Sequence, residues 1–160
     1  MIDQELKQRK KRIDNLLELG TQFSEDTELL SHWSRYLCIL ISGFLEISIK
    51  KIYSEYTKRH SYQLGVSNYV SSKLDRSRNP TVENICELAN SFYPKWHAEL
   101  DQLFSTKSDV KDAVTSIVSN RNKIAHGESV SLSFRALGEY YPRVVELIEF
   151  VERQALNNPQ

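Results

Sequence analysis

The sequence has few residues that break helices and few cysteines. Its 160 residues include five glycines and four prolines, so there are few points at which a long element must end. The two cysteines, Cys38 and Cys86, cannot make a disulfide framework and are not spaced as zinc ligands. We therefore expect two reduced core thiols in a cytoplasmic protein.

An excess of charge of one sign is also missing. Lysine and arginine number 21, aspartate and glutamate number 21, and the formal net charge is zero. This balance excludes a globally basic nucleic-acid-binding protein, although a local basic patch is still possible. The charged N-terminal segment does not resemble a signal peptide, and the most apolar window, residues 37–49, is too short to span a bilayer. We expect a soluble protein without a membrane segment.

Signatures of cofactor and metal enzymes are absent as well. The sequence has no phosphate-binding glycine loop, no His-Glu-x-x-His and no carboxylate pair placed as in a glycosidase. His32, His60 and His97 have no metal-ligand spacing, and we interpret them as surface or core residues. The sequence therefore predicts neither a cofactor nor a metal.

Apolar residues recur at helical spacing along the chain, and no segment alternates long enough to indicate a strand. The pattern predicts one all-α domain over residues 1–160, a helical bundle around a long early helix. That helix should begin near Ser24 or Asp26 and end at about Arg59. The other expected elements, in chain order, are a first helix from Ile2 closed by Gly20, a short helix over residues 66–74, a helix capped by Asn79 with Pro80 at its first position, one opened by Pro94, one opened by Thr106 or Ser108, and a last helix over residues 137–151.

The sixth of these helices carries an arginine where an apolar side chain is expected. With Val110 as the angular origin, Arg121 falls at about 20°, near the middle of the apolar stripe. His126 lies about 140° from Arg121 in an ideal helix, and Asn122 lies about 40° from His126. Gly127 is placed to form a left-handed C-terminal cap, which puts His126 in the last turn.

Two interpretations of this arginine are open. Arg121 could extend past its neighbours to a carboxylate while His126 caps the negative end of the helix. Alternatively, the arginine faces a cleft or a second subunit, where its planar fork would bind a phosphate and the histidine would transfer protons. For one chain to grip one phosphate, the last turn would have to unwind at residues 125–127. Otherwise, two chains would have to pool their side chains across a two-fold axis.

The motif RNKIAH, residues 121–126, resembles the Arg-x4-His motif of the HEPN superfamily in its Arg-Asn-x-x-x-His form. Flanking stretches are similar to the RiboL-PSP-HEPN branch: HWSRYLCILISGFLEISIKKIY, SRNPTVENICELANSF with PKWHAEL, and VSLSFRALGEYYPRVVELIEFVE. The similarity covers about residues 28–153, with residues 1–20 as an additional N-terminal helix.

The resemblance implies a homodimeric helical bundle that acts as a metal-independent endoribonuclease in toxin–antitoxin or anti-phage defence. Arg121 would bind the scissile phosphate, and His126 would serve as general base or acid for attack by the ribose 2′-OH, leaving a 2′,3′-cyclic phosphate. Asn122 would orient His126 or a phosphate oxygen, with Lys123 in support. Besides RNA and a second copy of the chain, a cognate antitoxin or a defence-system protein is a possible partner. The alternative is a non-catalytic HEPN module for dimerisation or RNA binding in a larger defence complex.

Further candidate residues lie outside the motif. Family members often carry an acidic residue on a long early helix, and Glu46 matches it. Because Glu46 lies in an apolar stretch, it needs a partner, either Arg121 or Lys50 four residues on. Weaker candidates for RNA contacts are Lys10, Lys11 and Arg12, in the densest basic run, which could instead be the solvated face of a helix. Arg76 and Arg78, in an expected loop, are further weak candidates for phosphate contacts.

Overall fold

The computed structural model describes residues 3–23, 27–76 and 79–157. These residues form seven helices and no strand, which confirms the predicted all-α fold. In chain order the helices are α1 (Gln4–Gly20), α2 (Thr27–His60), α3 (Leu64–Asp75), α4 (Val82–Phe92), α5 (Pro94–Thr106), α6 (Ser108–Ala125) and α7 (Phe134–Leu156). Ile2, Ser24 and Asp26, which the sequence places at helix starts, lie outside the described residues.

The long helix α2 is the centre of the bundle. It contacts α1, α3, α6 and α7, as its continuous apolar pattern predicts. Leu37, Ile41, Leu45 and Tyr53 on its inner face are completely buried. Each such side chain contributes about 1.5–3 kcal/mol through burial, so this face is a major source of stability. No helix in the described part of the chain is long and apolar enough to cross a membrane.

The end of α1 differs in its cause from the prediction. The helix ends at Gly20, but the cap is Thr21 in a right-handed conformation, so no left-handed glycine is involved. A Cβ atom on Gly20 would lie 2.4 Å from the ring of Phe134 and 2.8 Å from Trp33 Nε1. Glycine is therefore required because two aromatic rings approach the backbone here.

The start of α4 corrects a second prediction. Asn79 does not cap the helix and Pro80 is not its first residue. The cap is Thr81, whose hydroxyl oxygen accepts a hydrogen bond from the Asn84 N–H at 3.2 Å, as helix-capping threonines do. The Asn79 carbonyl accepts from the Thr81 N–H and from Asn84 Nδ2 at 2.7 Å, which fixes the segment before the helix.

The predicted starts of α5 and α6 are confirmed: Pro94 occupies the first turn of α5, and α6 begins at Ser108. Helices α4 and α5 are joined by one extended residue, Tyr93, and pack as a helical hairpin. Both cysteines are free and buried, as expected. The Cys38 Sγ donates to the carbonyl of Ile117 at 3.4 Å, which links α2 to α6.

Candidate active site

The C-terminal end of α6 is a regular helix end closed by a glycine. The N–H of Gly127 donates to the carbonyl of Ile124, and the N–H of Glu128 donates to that of Lys123, the pair of bonds that defines a Schellman cap. Gly127 has a φ of 74°, which confirms the predicted left-handed cap. Since the N–H of His126 still donates to the carbonyl four residues earlier, the last turn does not unwind before it.

Arg121 is half-buried on α6 and contacts neutral amide oxygens. Its Nη1 lies 3.4 Å from Asn79 Oδ1 and 3.2 Å from Asn122 Oδ1. Among the described residues, no carboxylate forms an ion pair with this guanidinium. The first interpretation, in which the arginine extends to a carboxylate, therefore does not hold within the described chain. Its positive charge is positioned but not neutralised.

The guanidinium also determines how the two amides are oriented. It has only donors, so the oxygens of Asn79 and Asn122 must both face it. The Nδ2 of Asn79 then donates to Asn122 Oδ1 at 3.0 Å, which closes a three-membered network. In this arrangement no hydrogen bond joins the side chains of Asn122 and His126 in the described structure. The Asn122 Nδ2 has no acceptor within the described residues and can donate to an incoming anion.

The imidazole of His126 is exposed at the end of the same helix. Its ring has no hydrogen bond or ion pair with any residue that the structure describes, so both nitrogens are accessible to a ligand. Because α6 is regular up to Ala125, the ideal-helix estimate of about 140° between Arg121 and His126 applies. One chain therefore presents the two side chains in divergent directions.

Asn79 is a site residue that the sequence alone did not reveal. The pattern assigned it to a helix cap, whereas its side chain contacts both Arg121 and Asn122, more than 40 positions along the chain. Its backbone is held by the first turn of α4. Its position after a basic segment and before Pro80 was the available signal, but nothing local shows that α4 starts beside the end of α6.

Glu46 takes the second of its two expected partners. Lys50 Nζ lies 2.8 Å from Glu46 Oε1, and no ion pair joins Glu46 to Arg121 in the described structure. Both side chains are about a quarter exposed, at 20% for Lys50 and 28% for Glu46. An ion pair this accessible contributes little stability. Glu46 also lines a cavity of about 370 Å³ beside the start of α4, together with Pro80 and Asn84.

Among the described residues, none of the expected supporting cations forms a hydrogen bond with Arg121, Asn79 or Asn122. Lys123 is exposed on α6, and Arg76 is exposed at the end of α3. Arg78 lies outside the described residues. In the basic run of α1, Lys10 pairs with Asp14 at 2.9 Å, Lys11 is exposed, and Arg12 donates to the hydroxyl of Tyr36 at 2.9 Å. Within the described ranges, no hydrogen bond or ion pair joins this run to the end of α6.

The arrangement combines a held cation, an amide donor and an exposed imidazole. A guanidinium without a carboxylate is suited to bind a phosphate through paired N–H donors. An exposed imidazole can accept or release a proton. The end of α6 therefore has the groups for anion binding and proton transfer.

A comparison with known protein families finds a match over most of the chain. A family model described as RiboL-PSP-HEPN matches residues 4–157. No curated protein and no solved structure matches the chain. The match includes α1, which the residue-level resemblance over about residues 28–153 had left as an addition. Since it spans nearly the whole chain, the protein belongs to the RiboL-PSP-HEPN family of the HEPN superfamily.

Proposed function

We propose that the protein is a metal-independent endoribonuclease that acts as a homodimer, with Arg121 and His126 as its catalytic residues. The observation that carries this proposal is the half-buried guanidinium of Arg121, whose hydrogen-bond partners among the described residues are the neutral oxygens of Asn79 and Asn122. Holding a charge partly out of water has a cost. An anionic ligand offsets that cost, and a phosphodiester is the RNA group that the planar fork fits.

The proposed reaction is attack of a ribose 2′-hydroxyl on the adjacent phosphorus. His126 takes the hydroxyl proton, or delivers a proton to the departing 5′-oxygen, while Arg121 and the Asn122 amide stabilise the charge on the phosphate oxygens. The bond from O2′ to phosphorus forms and the bond from phosphorus to O5′ breaks. The products are a 2′,3′-cyclic phosphate and a 5′-hydroxyl end, and no metal ion is needed.

The angle between Arg121 and His126 on one helix favours a site that two chains share. A two-fold axis at the end of α6 would bring Arg121 of one protomer towards His126 of its partner. The partner protomer would then also cover the half-buried guanidinium of Arg121. The roles of Glu46, Lys123 and the basic residues of α1 and α3 stay predictions within this scheme, as does a cytoplasmic location.

RNA cleavage in the presence of EDTA tests the chemistry. The wild type should cut RNA and leave 2′,3′-cyclic phosphate ends, whereas His126→Ala and Arg121→Ala should lose at least about 100-fold in rate, the lower range for a positioned proton-transfer group. His32→Ala is the matched control, because His32 is also an exposed histidine on a helix. Cleavage only with magnesium, or equal rates for the wild type and His126→Ala, would refute the proposal.

Mixing two inactive variants tests the shared site. Arg121→Ala and His126→Ala subunits should each be inactive, and a mixture allowed to exchange subunits should regain part of the wild-type rate. Only a heterodimer can join an intact Arg121 to an intact His126. If exchange is verified by mass spectrometry and no activity returns, each chain must use its own pair.

A toxin or defence role predicts that induced expression arrests growth and that His126→Ala relieves the arrest. A growth-arresting RNase must be held in check, so co-purification should reveal an antitoxin or a defence-system partner. RNA that is bound but never cut, under every condition in which the fold is intact, would instead indicate a non-catalytic HEPN module.

A further inference from the structure

Three potential metal ligands lie together on the α4–α5 hairpin, and none of them belongs to the candidate active site. The Cys86 Sγ, a ring nitrogen of His97 and a carboxylate oxygen of Asp101 are all within 4.8 Å of one another. The His97 Nε2 lies 3.4 Å from Asp101 Oδ2. The cysteine is buried, the histidine is half-buried and the aspartate is exposed, so the group forms a short path from the core to solvent.

The hairpin explains why these residues meet although their sequence spacing is not that of a familiar zinc motif. His97 and Asp101 are four residues apart on α5, which places them on one face of the helix. Tyr93 alone connects α4 to α5, and this tight reversal brings Cys86 on α4 against that face. The resulting order is Cys-x10-His-x3-Asp.

The buried Cys86 thiol has no hydrogen-bond partner among the described residues. It is 7% exposed. Cys38 is also buried, but its sulfur donates to a carbonyl. Burial raises the pKa of the Cys86 thiol to about 11, the negative charges of Asp101 and Glu83 add to the rise, and Lys111 opposes it.

We propose that Cys86, His97 and Asp101 bind a divalent transition-metal ion of the zinc type. A thiolate and an imidazole select borderline metals such as Zn²⁺ or Co²⁺ and disfavour Mg²⁺ and Ca²⁺, which require oxygen ligands. Three protein ligands leave a fourth position open on the exposed side, where water completes a tetrahedron.

The geometry requires only a small contraction. Ligand atoms around tetrahedral zinc are about 3.3–3.8 Å apart, given zinc–ligand distances of about 2.0–2.3 Å. The atoms of this group need to approach by roughly 1 Å from their 4.8 Å limit, and the side chains of His97 and Asp101 are accessible enough to move. A bound ion would tie α4 to α5 and stabilise the hairpin.

Cobalt spectroscopy on the intact protein is the direct test. Titration with CoCl2 under reducing conditions should give a thiolate-to-cobalt charge-transfer band in the near ultraviolet and tetrahedral visible bands, both displaced by ZnCl2. Cys86→Ser should abolish the charge-transfer band, and Cys38→Ala should keep it. Asp101→Asn, at an exposed position that the fold tolerates, should weaken cobalt binding by at least about 10-fold, the lower end of what loss of an outer-shell partner already costs.

Two controls separate this site from adventitious binding. His32→Gln removes an exposed histidine that also faces a carboxylate four residues away, Glu28, but no cysteine lies in that pair. It should leave the cobalt spectrum unchanged, whereas His97→Gln should weaken binding. Failure of the wild type to give a charge-transfer band, or a band that persists in Cys86→Ser, would overturn the proposal. At one fixed zinc concentration, zinc should raise the melting temperature of the wild type more than that of Asp101→Asn.

Discussion

The substitution Asn79→Asp tests whether the charge of Arg121 is available to a ligand. In the wild type the Asn79 Oδ1 accepts from the guanidinium at 3.4 Å as a neutral amide. Aspartate has nearly the same shape but places a full negative charge at that point. The guanidinium would then have an internal counter-ion, the arrangement that is absent from the described residues of the wild type.

The expected magnitude follows from the distance. Two unit charges 3.4 Å apart interact with roughly 5 kcal/mol at an effective dielectric constant of about 20. Arg121 is only half-buried, so solvent screening and the lost amide donor reduce the net gain to about 1–2 kcal/mol. A phosphate that binds Arg121 has to displace this partner. At 1.4 kcal/mol for each factor of ten, RNA cleavage should fall by roughly 5- to 30-fold.

Stability should move in the other direction. The new ion pair and a negative charge near the start of α4 both favour the folded state, so the free energy of unfolding should stay equal or rise. Asn79→Ala is the matched variant: it removes the same contacts without adding charge, should lose about 1–2 kcal/mol of stability and should retain more activity than Asn79→Asp. The assays are kcat/KM for RNA cleavage and urea unfolding.

Two results would refute this reasoning. If Asn79→Asp cuts RNA at the wild-type rate and is folded, the guanidinium is not the phosphate ligand. If Asn79→Ala and Asn79→Asp lose the same activity, the loss comes from the missing amide of Asn79 and the available charge of Arg121 is not what matters.

Three further substitutions test separate parts of the structure. Gly20→Ala should destabilise the fold by about 1–3 kcal/mol in urea unfolding, because its Cβ would collide with the ring of Phe134; unchanged stability would contradict that packing. Gly127→Ala, at a φ of 74°, should cost about 1–2 kcal/mol and lower RNA cleavage by displacing His126; full activity would show that the cap does not position the histidine. Tyr141→Phe removes a hydroxyl that donates to the Asp14 carboxylate at 2.8 Å, so it should lose about 1–2 kcal/mol of stability while its cleavage rate per folded molecule stays unchanged.

The two interior prolines that follow a possible capping residue show how far local patterns predict the fold. Tyr93-Pro94 does open α5, as the sequence indicates. Asn79-Pro80 reads even more like a helix start, because asparagine is a better cap than tyrosine. The next residue, Thr81, also has a capping side chain, and it wins because the Asn79 side chain is engaged with α6 instead. A tertiary contact overrides the local preference there.

The candidate site divides in the same way. The position of Arg121 in an apolar stripe and the glycine after His126 are visible in the sequence, because both depend on the geometry of a single helix. The contact of Asn79 with Arg121 depends on how α4 is placed against α6, and helical periodicity contains no information on that placement. The partner of Glu46 was ambiguous for the same reason, and the local ion pair with Lys50 formed.

The network around Arg121 has a consequence for how the site must be completed. Neutral amides hold the guanidinium in place without removing its charge, so the folded chain retains an unneutralised cation that is partly withdrawn from water. A fold that needed only stability would be better served by an apolar residue or a paired carboxylate at this position. The imidazole that could act with this charge leaves the same helix in another direction. The charge and the proton carrier are therefore both present in one chain, and the proposed homodimer would bring them together on one phosphate.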